Sequence, residues 1–259
     1  MEAILSTDMA WEEWGNKDPY YGVITSPKFR RHRLTDEVVA EFFESGSIHA
    51  EYVMRTIKKY LEPTFEPLSI VDFGCGVGRV IIPFAKYAQK VIGVDVSTSM
   101  LVEARKNCEE FGVENVELLL SDDKLVALNG TYDLIHSFIV FQHIAPERGR
   151  EIFQILISRL KIGGVAAIHF SYAKSRLADV CGYEVDCPPQ NSPKAKFWKS
   201  VSSASSSKTD PEMQMNPYLL NQLLFVMQCA GIQKFHVEFT DHGGELGVFL
   251  FFKKVTLEQ

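Results

Sequence analysis

Long apolar runs are missing from this chain: nothing in it approaches the roughly 18 to 20 consecutive apolar residues of a membrane-spanning helix. Paired cysteines are missing too. Cys75, Cys108, Cys181, Cys187 and Cys229 are odd in number and hold no metal-ligand spacing, which argues against a disulfide framework and a zinc site and for reduced thiols. There is no basic excess, because the formal net charge is -6, and a nucleic-acid surface normally calls for a positive face. Lys28-Phe29-Arg30-Arg31-His32-Arg33 is the local exception; it reads as a solvated charge run or as a grip on an anionic partner. Met1-Glu2-Ala3 lacks the basic start of a signal peptide, so a cytoplasmic setting is the expectation. No internal repeat is apparent. The 46 % hydrophobic content over 259 residues suits one large core, or a core with a small appendage.

What the chain does have is Val71-Asp72-Phe73-Gly74-Cys75-Gly76-Val77-Gly78, an apolar run that ends in an acid and three glycines on alternate positions. The pattern predicts a strand turning sharply into a helix, with backbone N–H groups turned toward a polar ligand. A dinucleotide-binding turn would need G-x-G-x-x-G, and Arg79 stands where its third glycine would fall.

The D-x-G-x-G-x-G pattern instead resembles motif I of the class I S-adenosylmethionine-dependent methyltransferases. The resemblance continues in order through Val91-Ile92-Gly93-Val94-Asp95, Leu118 to Asp123, Tyr132-Asp133-Leu134-Ile135-His136-Ser137 and Leu160-Lys161-Ile162-Gly163-Gly164, covering about residues 68 to 171. It implies an α/β fold: a Rossmann-like, seven-stranded, mostly parallel sheet with an antiparallel last strand, helices on both faces and an N-terminal helical cap. Ligands would gather at the carboxyl ends of the strands.

Carried over residue by residue, the resemblance implies that Gly74, Cys75, Gly76 and Gly78 run under the methionine and ribose part of S-adenosyl-L-methionine. Asp72 would orient the turn and approach the ammonium group. Asp95 would accept both ribose hydroxyls, as two carboxylate oxygens can, with Val96, Ser97 and Met100 flanking the adenine. Asp122, with Asp123 beside it, would take the adenine amino group, and Ser137 and Phe138 would line the methionine end.

Methyl transfer needs alignment and exclusion of water more than covalent catalysis. An oxygen acceptor would benefit from a general base, for which histidine is the natural side chain. His143 after the fourth strand, His169 in the fifth and His242 in the loop after the sixth are the candidates. For His242, the neighbouring Asp241 and Glu245 are expected to fix the tautomer; for His143 and His169, packing is the competing role.

Outside the shared core, Thr35-Asp36-Glu37 reads as a helix start, with Ile48, Tyr52, Thr56 and Tyr60 at helical spacing until Pro63. Helices are also expected over Val80 to Ala88, over Pro146 to Leu160 and from about Pro217 to Ala230, with a closing strand pair Ile232 to Thr240 and Leu246 to Lys253. Residues 1–62 are therefore expected as a cap or lid, and residues 63–259 as the S-adenosylmethionine-binding domain, with an acceptor-side insertion over 174–215 that contains the serine tract Ser202 to Ser207. Trp11 to Gly22 is rich in aromatics, which suits a lid or a pin onto the core. Tyr20, Tyr21, Gln142 and Tyr172 are the acceptor-side candidates. The expected activity is methyl transfer to a small-molecule or glycan-like acceptor on oxygen, without a metal. An RNA or protein methyltransferase and a catalytically silent cofactor-binding module are the alternatives.

Overall fold

The computed structural model describes residues 6–174 and 210–255, so the serine tract, most of the 174–215 insertion, Cys181 and Cys187 lie outside the described residues. Seven strands form one sheet: β1 (Ser69–Phe73), β2 (Lys90–Asp95), β3 (Val116–Leu120), β4 (Tyr132–Ser137), β5 (Leu160–Lys174), β6 (Phe235–His242) and β7 (Glu245–Lys253), in the order β3-β2-β1-β4-β5-β7-β6. The pairings from β3 through β5 are parallel, and β7 runs antiparallel to both β5 and β6, as the resemblance implied. Strands buried on both faces need continuous apolar runs, and Val165 to Phe170 of β5 is buried throughout. The edge strand β6 instead alternates, turning His236, Glu238, Thr240 and His242 inward and leaving Phe235 and Phe239 exposed.

Among the described residues, seven α-helices flank the sheet: α1 (Thr7–Lys17), α2 (Pro19–Val23), α3 (Asp36–Tyr60), α4 (Ile81–Phe84), α5 (Thr98–Glu110), α6 (Pro146–Ser158) and α7 (Leu220–Cys229). Thr35 caps α3 through Val38 N–H, with Asp36 and Glu37 in its first turn. Its buried face runs through Phe42, Phe43, Ala50, Val53 and Ile57, while Ile48 and Tyr60 of the expected stripe are exposed. The contact at Gly46 accounts for this facing: a Cβ there would collide with the Arg79 carbonyl, so only glycine lets α3 lie against the glycine turn.

Three expected boundaries moved. The helix expected over Val80 to Ala88 is only α4, because the Asn115 side-chain amide takes up the carbonyls of Ala85 and Ala88. β3 stops at Leu120, leaving Asp122 and Asp123 beyond it. The expected loop Asp241 to Glu245 is a tight hairpin in which His242 pairs with Glu245 across Gly243-Gly244, both at positive φ.

One apolar cluster lies on the α3 and α5 side of the sheet and another on the α6 and α7 side. Trp14, Tyr20, Phe29 and Phe42 share the first cluster with Ile70, Val91 and Phe249, so the N-terminal helices are built into the same core as the strands.

Candidate functional site

β1 ends at Phe73, and Gly74, Gly76 and Gly78 all take positive φ, a region open to glycine at little cost. The Gly76 N–H donates to Asp95 Oδ2 at 2.8 Å, and the Ser97 N–H to Asp95 Oδ1 at 2.9 Å. Asp95 is thus fixed at the end of β2 between the glycine turn and the start of α5, which Ser97 caps through Met100 N–H. Burial pushes its carboxyl up to about 6, against the pull of the Ser97 and Gly76 N–H groups. Each oxygen accepts one N–H and can accept another donor. A pair of hydroxyls is what this carboxylate lacks, and the residues fit the ribose of S-adenosylmethionine on that ground.

The β4 exit closes over the turn. Ser137 Oγ donates to the Phe73 carbonyl at 2.9 Å, and Ile139 then takes a positive φ that costs a β-branched residue of order 1–3 kcal/mol. This strained step brings Val140 onto Gly74, where any Cβ would collide with it.

Helix α1 lies across the start of α5. Glu12 Oε2 accepts from Ser97 Oγ (2.8 Å) and Ser99 N–H (3.1 Å), and its Oε1 from Ser99 Oγ (2.6 Å). A Cβ at Gly15 would lie 2.6 Å from Ser97 Oγ, and one at Gly76 would lie 2.7 Å from Val23 Cγ2, so the two segments touch through glycines. Arg148 of α6 holds Asp8 of α1 and Asp123 together, and Trp11 packs edge-on against His143 with centroids 4.8 Å apart. The basic run is engaged in the same assembly: Arg30 reaches Asp18 and Asp210 and stacks 3.4 Å from the Tyr21 ring, while Lys28 pairs with Glu41.

Beyond the turn, the inward face of β4, β5 and β6 carries imidazoles. Phe138 has the rings of His49, His169 and His242 at 4.3, 5.1 and 5.6 Å, and His169 lies 5.2 Å from His242. His169 Nε2 bonds Thr240 Oγ1 at 2.8 Å, over a Gly247 that leaves it room. His169 Nδ1, His242 Nε2 and Glu245 Oε2 are buried without a hydrogen-bond partner among the described residues. Burial lowers His169 to about 3, with His242 adding to the effect, and lowers His242 while Asp241 opposes; it raises Glu245 against the pull of Lys174.

With that geometry in view, the sequence matches the Methyltransferase domain family over residues 70–164. The chain carries a class I S-adenosylmethionine-dependent methyltransferase domain. It is 27% identical over 191 residues to the 23S rRNA (uracil(1939)-C(5))-methyltransferase RlmD of Marinomonas sp. (strain MWYL1), covering 68% of this chain and 42% of that protein. It is 31% identical over 118 residues to the ubiquinone biosynthesis O-methyltransferase of Dinoroseobacter shibae, covering 46% of each. The chain thus spans less than half the length of these curated relatives. The fold matches the N-methyltransferase NodS from Bradyrhizobium japonicum WM9 with a TM-score of 0.58 at 11% identity, over 96% of this chain and 98% of that one.

Within this methyltransferase domain the expected residues divide. Asp72, the three glycines, Asp95, Ser97, Ser137 and Phe138 surround the turn, with Val96 half-buried and Met100 buried at the start of α5. Cys75 is buried, its thiol pushed well up by burial and by the charges of Asp95 and Asp72. Asp122 is exposed and accepts from Lys124 and Val126 N–H through one oxygen, whereas Asp123 serves the Arg148 clamp.

His143 does not join the other two histidines. It is buried beneath Trp11 with Nδ1 on the Gln214 carbonyl, and burial lowers it to about 4. Tyr20 is a core residue donating to Asn107 Oδ1, and Gln142 is buried on Ser171 Oγ. Tyr172 packs with Phe239 and the α6 and α7 side of the core, away from the His169 face. The expected carboxylate partner of His242 is corrected: Asp241 Oδ1 accepts from Gly244 N–H, because the two-residue turn points it back at its own backbone. Two histidines were missed. His136 Nδ1 lies 2.6 Å from Asp72 Oδ1, and its Nε2 lies 2.9 Å from His49 Nε2. An acid and a histidine facing each other in register on two central, otherwise apolar strands is the signal that was there to find.

Proposed function

We propose that this chain binds S-adenosyl-L-methionine on the glycine turn and methylates a small-molecule or glycan-like acceptor on oxygen at the imidazole face. When bound, S-adenosyl-L-methionine supplies an activated methyl group on a sulfonium. Asp95 would hold its ribose hydroxyls, Val96 and Met100 its adenine with Asp122 at the amino group, and Phe138 would separate the methionine end from the histidines. Residues 1–62 act as a lid, with Glu12 and the Asp8–Arg148–Asp123 clamp closing α1 over the site and excluding water.

The observation that carries the acceptor side is the set of polar atoms on His169, His242 and Glu245 that find no partner among the described residues, because buried polar groups are almost always paired and these suit a polar ligand. His242 and Glu245 are the half-buried members of that set, and we assign His242 contact with the acceptor hydroxyl. The net charge of -6 and the engagement of Arg30 and Lys28 within the lid favour this acceptor over RNA. The named activity of RlmD keeps an RNA acceptor as the second reading.

Titration calorimetry with S-adenosylmethionine and S-adenosylhomocysteine, with NADH as control, tests the cofactor assignment; binding of the first two alone is expected. An acceptor screen over sugars, small phenols and a structured RNA follows, and turnover on the RNA alone would replace the first reading by the second.

A further inference from the structure

The Asp72, His136 and His49 side chains form a line that leads from the glycine turn to the imidazole face; Asp72 has so far been placed only at the turn and the cofactor's ammonium group, and the two histidines have no role. Its elements are far apart in sequence: β1 supplies Asp72, its in-register neighbour on β4 supplies His136, and α3 lays His49 on top. The hydrogen-bond order along the line is dictated from its acid end. Carboxylate Oδ1 of Asp72 can only accept, so His136 donates through Nδ1, and a neutral His136 then presents a bare Nε2. That nitrogen accepts from His49 Nε2–H, which leaves the His49 Nδ1 lone pair free; Nδ1 has no hydrogen-bond partner among the described residues. The His49 ring is half-buried, 4.3 Å from Phe138, at the border of the cofactor turn and the acceptor face.

We propose that His49 is the general base of the methyl transfer, and that His136 and Asp72 are positioning residues that receive its charge. The inference rests on the methyl-transfer reading above. A proton leaves the acceptor hydroxyl for His49 Nδ1 while the Nε2 proton of His49 passes to His136 Nε2. The acceptor oxygen keeps its electron pair, His49 ends neutral in its other tautomer, and the positive charge rests on His136 against the Asp72 carboxylate. The surroundings suit a neutral imidazole: burial first, then His136, Arg79, His169 and His242, hold His49 well below its ordinary value, so it stays in its base form at neutral pH. Tyr52, the remaining titratable neighbour on α3, is committed to Glu238 through its hydroxyl.

The test uses the full chain labelled with 15N-histidine, read by long-range 1H–15N spectra. At neutral pH, His136 is expected as the Nδ1–H tautomer and His49 as the Nε2–H tautomer. On acidification one step should convert His136 to imidazolium and switch His49 to Nδ1–H while His49 itself remains neutral. A His49 that carries Nδ1–H at neutral pH, or that becomes imidazolium beside a neutral His136, overturns the relay. On an acceptor found in the screen, His49→Gln should leave S-adenosylmethionine affinity within about twofold and lower turnover ~100-fold, more for weakly acidic hydroxyls than for acidic ones. Undiminished turnover in that variant removes the base role. Failure of the wild-type chain to bind S-adenosylmethionine would instead end the methyl-transfer reading and leave the tautomer result standing.

Discussion

The two halves of the site treat polar groups in opposite ways. Around the glycine turn each carboxylate and hydroxyl is tied to backbone or to a neighbour: Asp95 to Gly76 and Ser97, Ser137 to Phe73, Asp72 to His136, Glu12 to Ser97 and Ser99. On the imidazole face, His169, His242 and Glu245 each keep a buried atom without a partner among the described residues. The first half is satisfied within the chain; on the reading proposed above, the second is completed by the acceptor. Stability and acceptor recognition should therefore respond to different residues.

Asp95→Ala should break the first half most severely, with S-adenosylmethionine binding lost in calorimetry; an affinity within tenfold of wild type would remove the ribose assignment. Next in size is acidity. A histidine lowered to about 4, as His143 is, contributes stability that is full above its unfolded pKa near 6.5 and lost as pH falls toward 4, by about 3 kcal/mol. Asp95, raised to about 6, works with the opposite sign: its folded form favours the proton, so it costs about 3 kcal/mol as pH rises from 3.8 through 6. Denaturant midpoints across pH 4 to 7 in wild type and His143→Gln should separate the two slopes, the variant losing less stability on acidification.

Gly76→Ala should cost about 1–3 kcal/mol through its positive φ and the contact with Val23, read as a fall in Tm. Glu12→Ala should cost about 1 kcal/mol by taking the acceptor from the Ser99 N–H in the first turn of α5 and loosening α1, seen as faster proteolysis within residues 7–23. The smallest effect sharpens the contrast. His242→Phe should change stability by less than ~0.5 kcal/mol, since it removes a buried atom that has no partner, while acceptor turnover falls. A large loss of stability would show that His242 is structural.

The glycine turn was legible because it is local, an apolar run, an acid and glycines at fixed offsets, whereas the antiparallel last strand came only with the family resemblance. The helix after the turn was overestimated because its terminator, Asn115, sits far along the chain. His242 read as a loop residue with carboxylate help, although a Gly-Gly turn needs only two residues and leaves His242 in the strand. In sequence, His143 stood level with His242 as a base, with His169 behind both; the strained turn at Ile139 instead sends the chain away and puts His143 under Trp11.

By itself, then, the sequence determined the glycine turn and the strand that enters it, because glycine φ, strand burial and an acid at a strand end are properties of neighbouring residues, and the order of its motifs carried the resemblance to the methyltransferases. Only the tertiary structure decided which imidazoles meet. His49 and His136 stand 87 residues apart, and their contact depends on α3 being able to lie against the turn at Gly46, a packing constraint that no local spacing records.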